Sequence, residues 1–377
     1  MQNNSPTSAN LPSVSILIPT FNGRHLLEEC LPTLAHLDYP RDLLQTVVFD
    51  NGSSDGTSDF LRSKYPDVVI LRSEENLFFA PAINRAVQEA QTEVVAFLNN
   101  DMKVQSDWLE KLVNPLCTGQ ADCVASTILD WEGRNYQFVG GGINFLGQGF
   151  EHGGSLETTT PEAKPLLFAC GGAMAVRRSL FLEAGAFDED YRLLYEDVDF
   201  GWRLNLMGYR VVLSPLARVF HRAHASVSRM DVMNRVRILE RNALFTLIKN
   251  YQPSVLENVL PVALLLAERR AMVFTDVANK VPLHEKITRL VTRRGRFKHK
   301  GEAIHAALDD VACHYPVLLR KRTSIQDRRR VSDDRIFPLF CDSMRVWAYE
   351  NDDYRILEQK GYPELLSQLC SHAMDSA

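Results

Sequence analysis

The sequence predicts an α/β domain built on a mixed, mainly parallel sheet flanked by helices, followed by a helical C-terminal region. Three observations carry this. Short β-branched runs alternate with amphipathic stretches between Val14 and Leu98, which is the pattern of βαβ units. From about Asp231 onward, apolar residues recur at helical spacing, as in Val236, Leu239, Leu244, Leu247 and Ile248. Three apolar runs also end in polar clusters: Thr20-Phe21-Asn22, Asp50-Asn51 and Asn99-Asn100-Asp101. Parallel sheets bind ligands at the carboxyl ends of their strands, so three such endings together point to a site.

The elements follow in order. VSILIP from Val14 reads as a buried strand, and Leu26, Leu27, Cys30, Leu31 and Leu34 form a helical stripe after it. TVVFD ending at Asp50 is a second strand, with a helix over DGTSDFLRSKY. VVILR is a third strand, a helix spans roughly 78–91, and VVAFL is the fourth strand. After Asp130 glycine and aromatic residues dominate, which reads as loop or hairpin. LLFACGGAMAVRR then reads as a strand with a glycine pair, YEDVDFGWRLNLMGYR as a helix, and VVLSPLARVFH as a strand closing on His221.

Composition narrows the function. A formal net charge of −5 on 377 residues leaves no global basic footprint, so a dedicated nucleic-acid binder is excluded. The seven cysteines form no C-x-x-C pair, against a zinc ribbon or disulfide framework and in keeping with a reducing compartment. The first twelve residues read as a flexible polar tail without a secretory leader, and no apolar run reaches the ~20 residues of a spanning helix. The expectation is a cytoplasmic protein, soluble or peripheral on the inner face of the plasma membrane. Basic residues 289–300 and 320–330 suit a solvated face, an anionic membrane surface or a phosphorylated lipid acceptor.

Three constellations could carry chemistry. Asn99 and Asp101 place two oxygen ligands two residues apart, a pattern that suits Mg²⁺ or Mn²⁺. Glu196, Asp197 and Asp199 crowd three carboxylates into four residues at a helix start, just ahead of Trp202 and Arg203. Compensation of the helix dipole accounts for one or two of them. Crowding also raises a carboxylate's pKa and poises it as a general base. His221 ends an apolar strand, where a histidine is either a structural residue or a ligand.

In order along residues 14–221, VSILIPTFNG, VVFDNGSSDGT, NLFFAPAINRAV, VVAFLNNDM, FACGGAMAVRRSLFLEAGAFDE and YEDVDFGWRLNLMGYRVVLSPLARVFH resemble the family 2 inverting glycosyltransferases of the GT-A fold. The resemblance is to the bacterial rhamnosyltransferase-like branch. It implies a catalytic domain over 13–228, with a nucleotide-sugar half at 13–130 and an acceptor half at 131–228, and a helical region over 229–377. It implies a nucleotide site at Pro19, Thr20, Phe21, Asn22, Asp50, Asn84, Asn99 and Asn100, with Phe21 packing on the base and Asp50 accepting its hydrogen bond. Gly171, Gly172 and Ala173 are implied as the backbone the acceptor approaches, and Asp197 as the general base. Glu196, Asp199, Trp202 and Arg203 are implied as its support. Asp101, His221 and Asn99 are implied as the holders of a divalent cation, Mn²⁺ or Mg²⁺.

The implied donor is a nucleotide-diphosphate sugar (dTDP-rhamnose or a UDP- or GDP-sugar). The acceptor is a saccharide or lipid-linked saccharide of cell-surface polysaccharide assembly, and a homodimer is compatible. The alternative is a non-catalytic sugar-nucleotide-binding or scaffold protein of the same fold, against which the intact Glu196-Asp197 pair speaks. A pyrophosphorylase or a dinucleotide dehydrogenase lacks its glycine-rich loop here, since the first strand runs into PTFNG. Phe78 stands where the family usually has glycine, Asn99 where it has aspartate, and Ala86 where it often has glycine.

Overall fold

The computed structural model describes residues 11–222, 230–280, 287–341 and 351–375, with side chains throughout except at 277–280, 287–297, 351–352 and 371–375. The chain divides into two compact units, one of residues up to 142 with 151–225, the other of 143–150 with 226–377. The boundary expected after residue 228 falls at 225, and residues 143–150, expected in the first region, cluster with the helices.

In the first unit the expected alternation forms. Strand β1 (Val14–Thr20) leads to helix α1 (Arg24–Leu34), β2 (Leu44–Asn51) to α2 (Thr57–Lys64), β3 (Val69–Ser73) to α3 (Phe79–Glu89), and then β4 (Val94–Leu98). β1 lies between β2 and β4, with β3 outside β2, and all these pairings are parallel. The run of fully buried residues in β4 shows why it carries no polar alternation: both of its faces are covered. Helix α1 buries Leu26, Leu27, Cys30, Leu31 and Leu34, the stripe expected of it.

Past β4 the sheet becomes mixed. A short β5 (Met102–Val104) and α4 (Trp108–Cys117) precede β6 (Cys123–Asp130). The glycine-rich stretch forms short strands β7 (Asn135–Phe138), β8 (Gly141–Ile143), β9 (Gly149–Glu151) and β10 (Gly154–Ser155). β11 (Ala173–Arg177) runs antiparallel to both β4 and β6, pairing Ala173 with Leu98. α5 (Arg178–Glu183) and α6 (Glu196–Leu206) follow. β12 (Val211–His221) is longer than a short closing strand because it carries a register shift between Ser214 and Arg218, and it pairs antiparallel with β5 and in parallel with β6.

The second unit holds α7 (Val232–Asn250), α8 (Pro253–Lys280), α9 (Ile287–Asp327), α10 (Asn351–Gln359) and α11 (Tyr362–Asp375). Among the described residues no helix is long and apolar enough to cross a membrane. The basic stretches read as a solvated face, a membrane surface or a lipid-phosphate site are partly internal. Lys300 is fully buried against Asp353, 2.7 Å away. Arg322 and Arg329 donate to the carbonyls of Ile248, Tyr251 and Asn250 at the end of α7, where a cation meets the negative end of the helix dipole. The side chains of 289–297 lie outside the described residues.

Candidate active site

Strand order decides which polar ends meet. The carboxyl ends of β1, β2 and β4 put Thr20, Asp50 and Asn99 along one edge. Because β11 is antiparallel, its beginning lies beside the end of β4, so the Gly171-Gly172 pair arrives at Asn99. Asn99 N donates to Gly172 O at 2.8 Å, and Gly171 N donates to Asp197 Oδ2 at 2.8 Å. A Cβ at Gly172 would stand 2.7 Å from Asn99 Nδ2, and one at Gly171 3.2 Å from Asp197 Cβ. The glycine pair, expected to admit an acceptor, also admits these two side chains. Ala173, behind it, is fully buried in β11.

The metal end takes shape from β5 and β12. Pairing of His221 with Met102 brings the imidazole to Asp101. His221 Nε2 is 3.5 Å from Asp101 Oδ2. The other ring nitrogen, Nδ1, faces Gln137 Oε1 at 2.7 Å, so with Nδ1 donating, Nε2 turns a lone pair toward the carboxylate. Asp101 is 5% exposed, and its Oδ1 is buried without a hydrogen-bond partner. Two acceptors facing each other beside an unpaired buried oxygen suit a hard divalent cation. No cluster of three or more His, Cys, Asp or Glu suited to a metal occurs among the described residues. Asn99 stands two residues away, its backbone held by Gly172.

The nucleotide end is more crowded than expected. Asp50 is fully buried and accepts from Ser53 N at 2.9 Å, from Arg72 Nη1 at 2.6 Å and from Ser58 Oγ. That leaves about one of a carboxylate's roughly four lone-pair sites for a base. Arg72, absent from the sequence reading, keeps its side chain 44% exposed there. Phe21 is 45% exposed beyond Pro19 and Thr20, open to stacking. Asn22 joins the first and second strand ends through Ser53 and Ser54, and Asn100 Nδ2 donates to Thr20 Oγ1 at 2.7 Å. Asn84, expected to line the nucleotide pocket, is instead engaged elsewhere. Its amide donates to Phe187 O and Glu189 Oε1 and accepts from Phe187 N, at 2.8, 3.0 and 3.0 Å. It sits inside α3 and faces the loop before α6, so it fastens that loop.

At the start of α6 the three acids part company. Asp199 is fully buried in an ion pair with Arg203 at 2.8 Å. Arg203 also donates to Ala184 O and Ala186 O, and Trp202 is fully buried. These three brace the helix. Asp197 is half-buried, accepting from Gly171 N and Val198 N. Burial pushes its carboxyl above the usual range, against the pull of those two N–H groups. Glu196 is 6% exposed, with Oε2 unpaired. Burial, then Asp197, pushes it well above the usual range.

Glu151 joins them from β9. Its surface is open to water, yet protein atoms crowd the carboxyl. That burial, then Asp197, pushes it up to about 7 against the opposing pull of His221. Nothing in the sequence around Glu151 marks it, because its neighbours are distant in the chain.

Residues 15–185 match the family model described as Glycosyl transferase family 2. The chain is 31% identical over 229 residues to the O-antigen biosynthesis protein RfbC of Myxococcus xanthus, covering 58% of this chain and 18% of that protein. It is 28% identical over 209 residues to an N-acetylglucosaminyl-diphospho-decaprenol L-rhamnosyltransferase of Mycobacterium tuberculosis, covering 48% of this chain and 68% of that enzyme. The match thus spans about a fifth of the first relative's length and two thirds of the second's. Among solved structures, a mannosyltransferase of Pyrobaculum calidifontis in complex with GDP-Man and Mn²⁺ superposes with a TM-score of 0.50 at 20% identity. That match covers 81% of this chain and 88% of that one, and it speaks for the fold.

Proposed function

We propose that this chain, whose residues 15–185 match the family 2 glycosyltransferase model on a GT-A fold, is an inverting glycosyltransferase. It moves a sugar from a nucleotide-diphosphate donor to a saccharide or lipid-linked saccharide in cell-surface polysaccharide assembly. The names of its relatives in O-antigen biosynthesis and rhamnosyl transfer support that substrate class. One observation carries the reading. The glycine pair at 171–172 touches Asn99 at the donor end with one residue and Asp197 with the other.

Phe21 packs on the base, and the remaining lone pair of Asp50 accepts from it. Asp101 and His221 would hold a divalent cation, Mn²⁺ or Mg²⁺, which supplies Lewis-acid stabilisation of the departing diphosphate when bound. Held by so few protein groups, the cation would bind together with the nucleotide. The acceptor hydroxyl oxygen forms the new bond to the anomeric carbon as the bond to the diphosphate breaks. Asp197 takes the hydroxyl proton. Attack opposite the leaving group inverts the anomeric centre. Glu196 lies beside Asp197, its carboxyl held above the usual range by burial and then by that neighbour.

A thermal-shift screen of UDP-, GDP- and dTDP-sugars, each with Mn²⁺, tests this. One donor class raises the melting temperature by mass action. A panel in which no nucleotide sugar shifts it would overturn the reading.

A further inference from the structure

Phe78 occupies backbone space that glycine alone enters freely. Its φ is 68° and its ψ −172°, a region essentially reserved for glycine, so a side chain there is strained. The surroundings hold it in place. Phe78 N donates to Asn76 Oδ1 at 2.9 Å, and Phe78 O accepts from Asn51 Nδ2 at 3.0 Å. Asn51 follows Asp50 at the nucleotide end of β2, and its Oδ1 also accepts from Leu77 N at 2.8 Å.

The next two amides reach across to the loop before α6. Phe79 N and Ala80 N both donate to Arg192 O, at 3.0 and 3.1 Å, so a residue of that loop caps α3. Arg192 is itself at φ 61°. Its guanidinium lies over the Phe78 ring, 5.7 Å from the centroid. That ring is 39% exposed, so burial contributes little to keeping it. An exposed cation–π contact is weak and does not outweigh that strain. Five residues past Arg192 is Asp197. Phe79 reinforces the join: its ring packs on Phe187 at 6.0 Å, and its Cε1 lies 3.4 Å from a Cβ placed on Gly171.

We propose that Phe78 and Arg192 form a latch that positions the turn 192–197, and with it Asp197, against the loop at the donor end of the sheet. Both are positioning residues. The proposal rests on Asp197 being the base, and its test separates from that assignment.

Phe78→Gly relieves the strain and removes the ring; Arg192→Ala removes the guanidinium and keeps the carbonyl cap. The expected result is that Phe78→Gly melts higher than wild type, yet its amides at 192–198 exchange about two- to fivefold faster, the scale of the lost contact. Arg192→Ala gives the same acceleration without the rise in melting temperature. In transfer assays with UDP-, GDP- and dTDP-sugars, both variants lose kcat at unchanged donor KM. Exchange at 192–198 that is unchanged or slower in Phe78→Gly overturns the latch. That readout uses no substrate, so it stands apart from an active Asp197→Asn, which would overturn the base assignment instead.

Discussion

The two units treat buried charge in opposite ways. In the helical unit it is closed into pairs. Arg270 grips Glu240 with two bonds of 2.8 and 2.6 Å at 3% and 2% exposure, and Lys300 meets Asp353 at 2.7 and 2.9 Å with neither exposed. In the sheet unit, Asp101 Oδ1 and Glu196 Oε2 are buried and unpaired. An unpaired buried oxygen costs about 1–3 kcal/mol, a cost in keeping with the site we propose around Asp101, past β4, and Glu196, at the start of α6. Closed pairs mark architecture, and open ones mark the site.

The sharpest way to break this contrast is to remove one charged group from each unit. Asp197→Asn is expected to lower kcat about 10²–10⁴-fold while the melting temperature holds or rises, since a buried carboxyl becomes a neutral amide. A variant with near-normal turnover would remove the base. In the other unit, Arg270→Met takes from the buried Glu240 the guanidinium that donates to both its oxygens, which costs about 3–5 kcal/mol in urea unfolding. Adding Glu240→Leu should return most of that, and no recovery in the double variant would mean that the pair is not the source.

Smaller effects sharpen the contrast at the cation end. EDTA is expected to stop transfer. Gln137→Ala, which frees the His221 ring, should raise the Mn²⁺ concentration for half-maximal activity about 10-fold or more. Full activity in excess chelator would remove the cation from the proposal. The smallest effect is at Glu151. Its folded pKa of about 7 exceeds the ordinary 4.5. Between those values the folded chain holds a proton that the unfolded chain has released, so stability falls as pH rises through that window. Glu151→Gln should therefore melt higher than wild type at pH 8 and match it below pH 4.5; equal melting at both would refute the shift.

Most of the sheet was legible because burial leaves a local record. The β-branched runs at Val14, Val47 and Val94 and the stripe of α1 each show in a few residues what their faces touch. The strand-end acids were legible for the same reason: a polar cluster interrupts an apolar run. Asn84 was misread because its partners, Phe187 and Glu189, lie in a loop about a hundred residues on. Glu151 and Arg72 went unread because what singles them out is the company of distant groups. Lys300 looked like surface, although its partner Asp353 makes it core.

By itself the sequence determined the alternating order of strands and helices and the polar endings of β1, β2 and β4, since hydrophobic period and turn chemistry act over a few residues. Tertiary structure alone decided that β11 runs antiparallel and so delivers Gly171 and Gly172 to Asp197 and Asn99. It alone decided that His221 faces Asp101, and that Phe78 is held where glycine would rest. Those outcomes depend on pairings across tens to hundreds of residues, and no local pattern encodes which distant group will complete a charge, a cap or a strained turn.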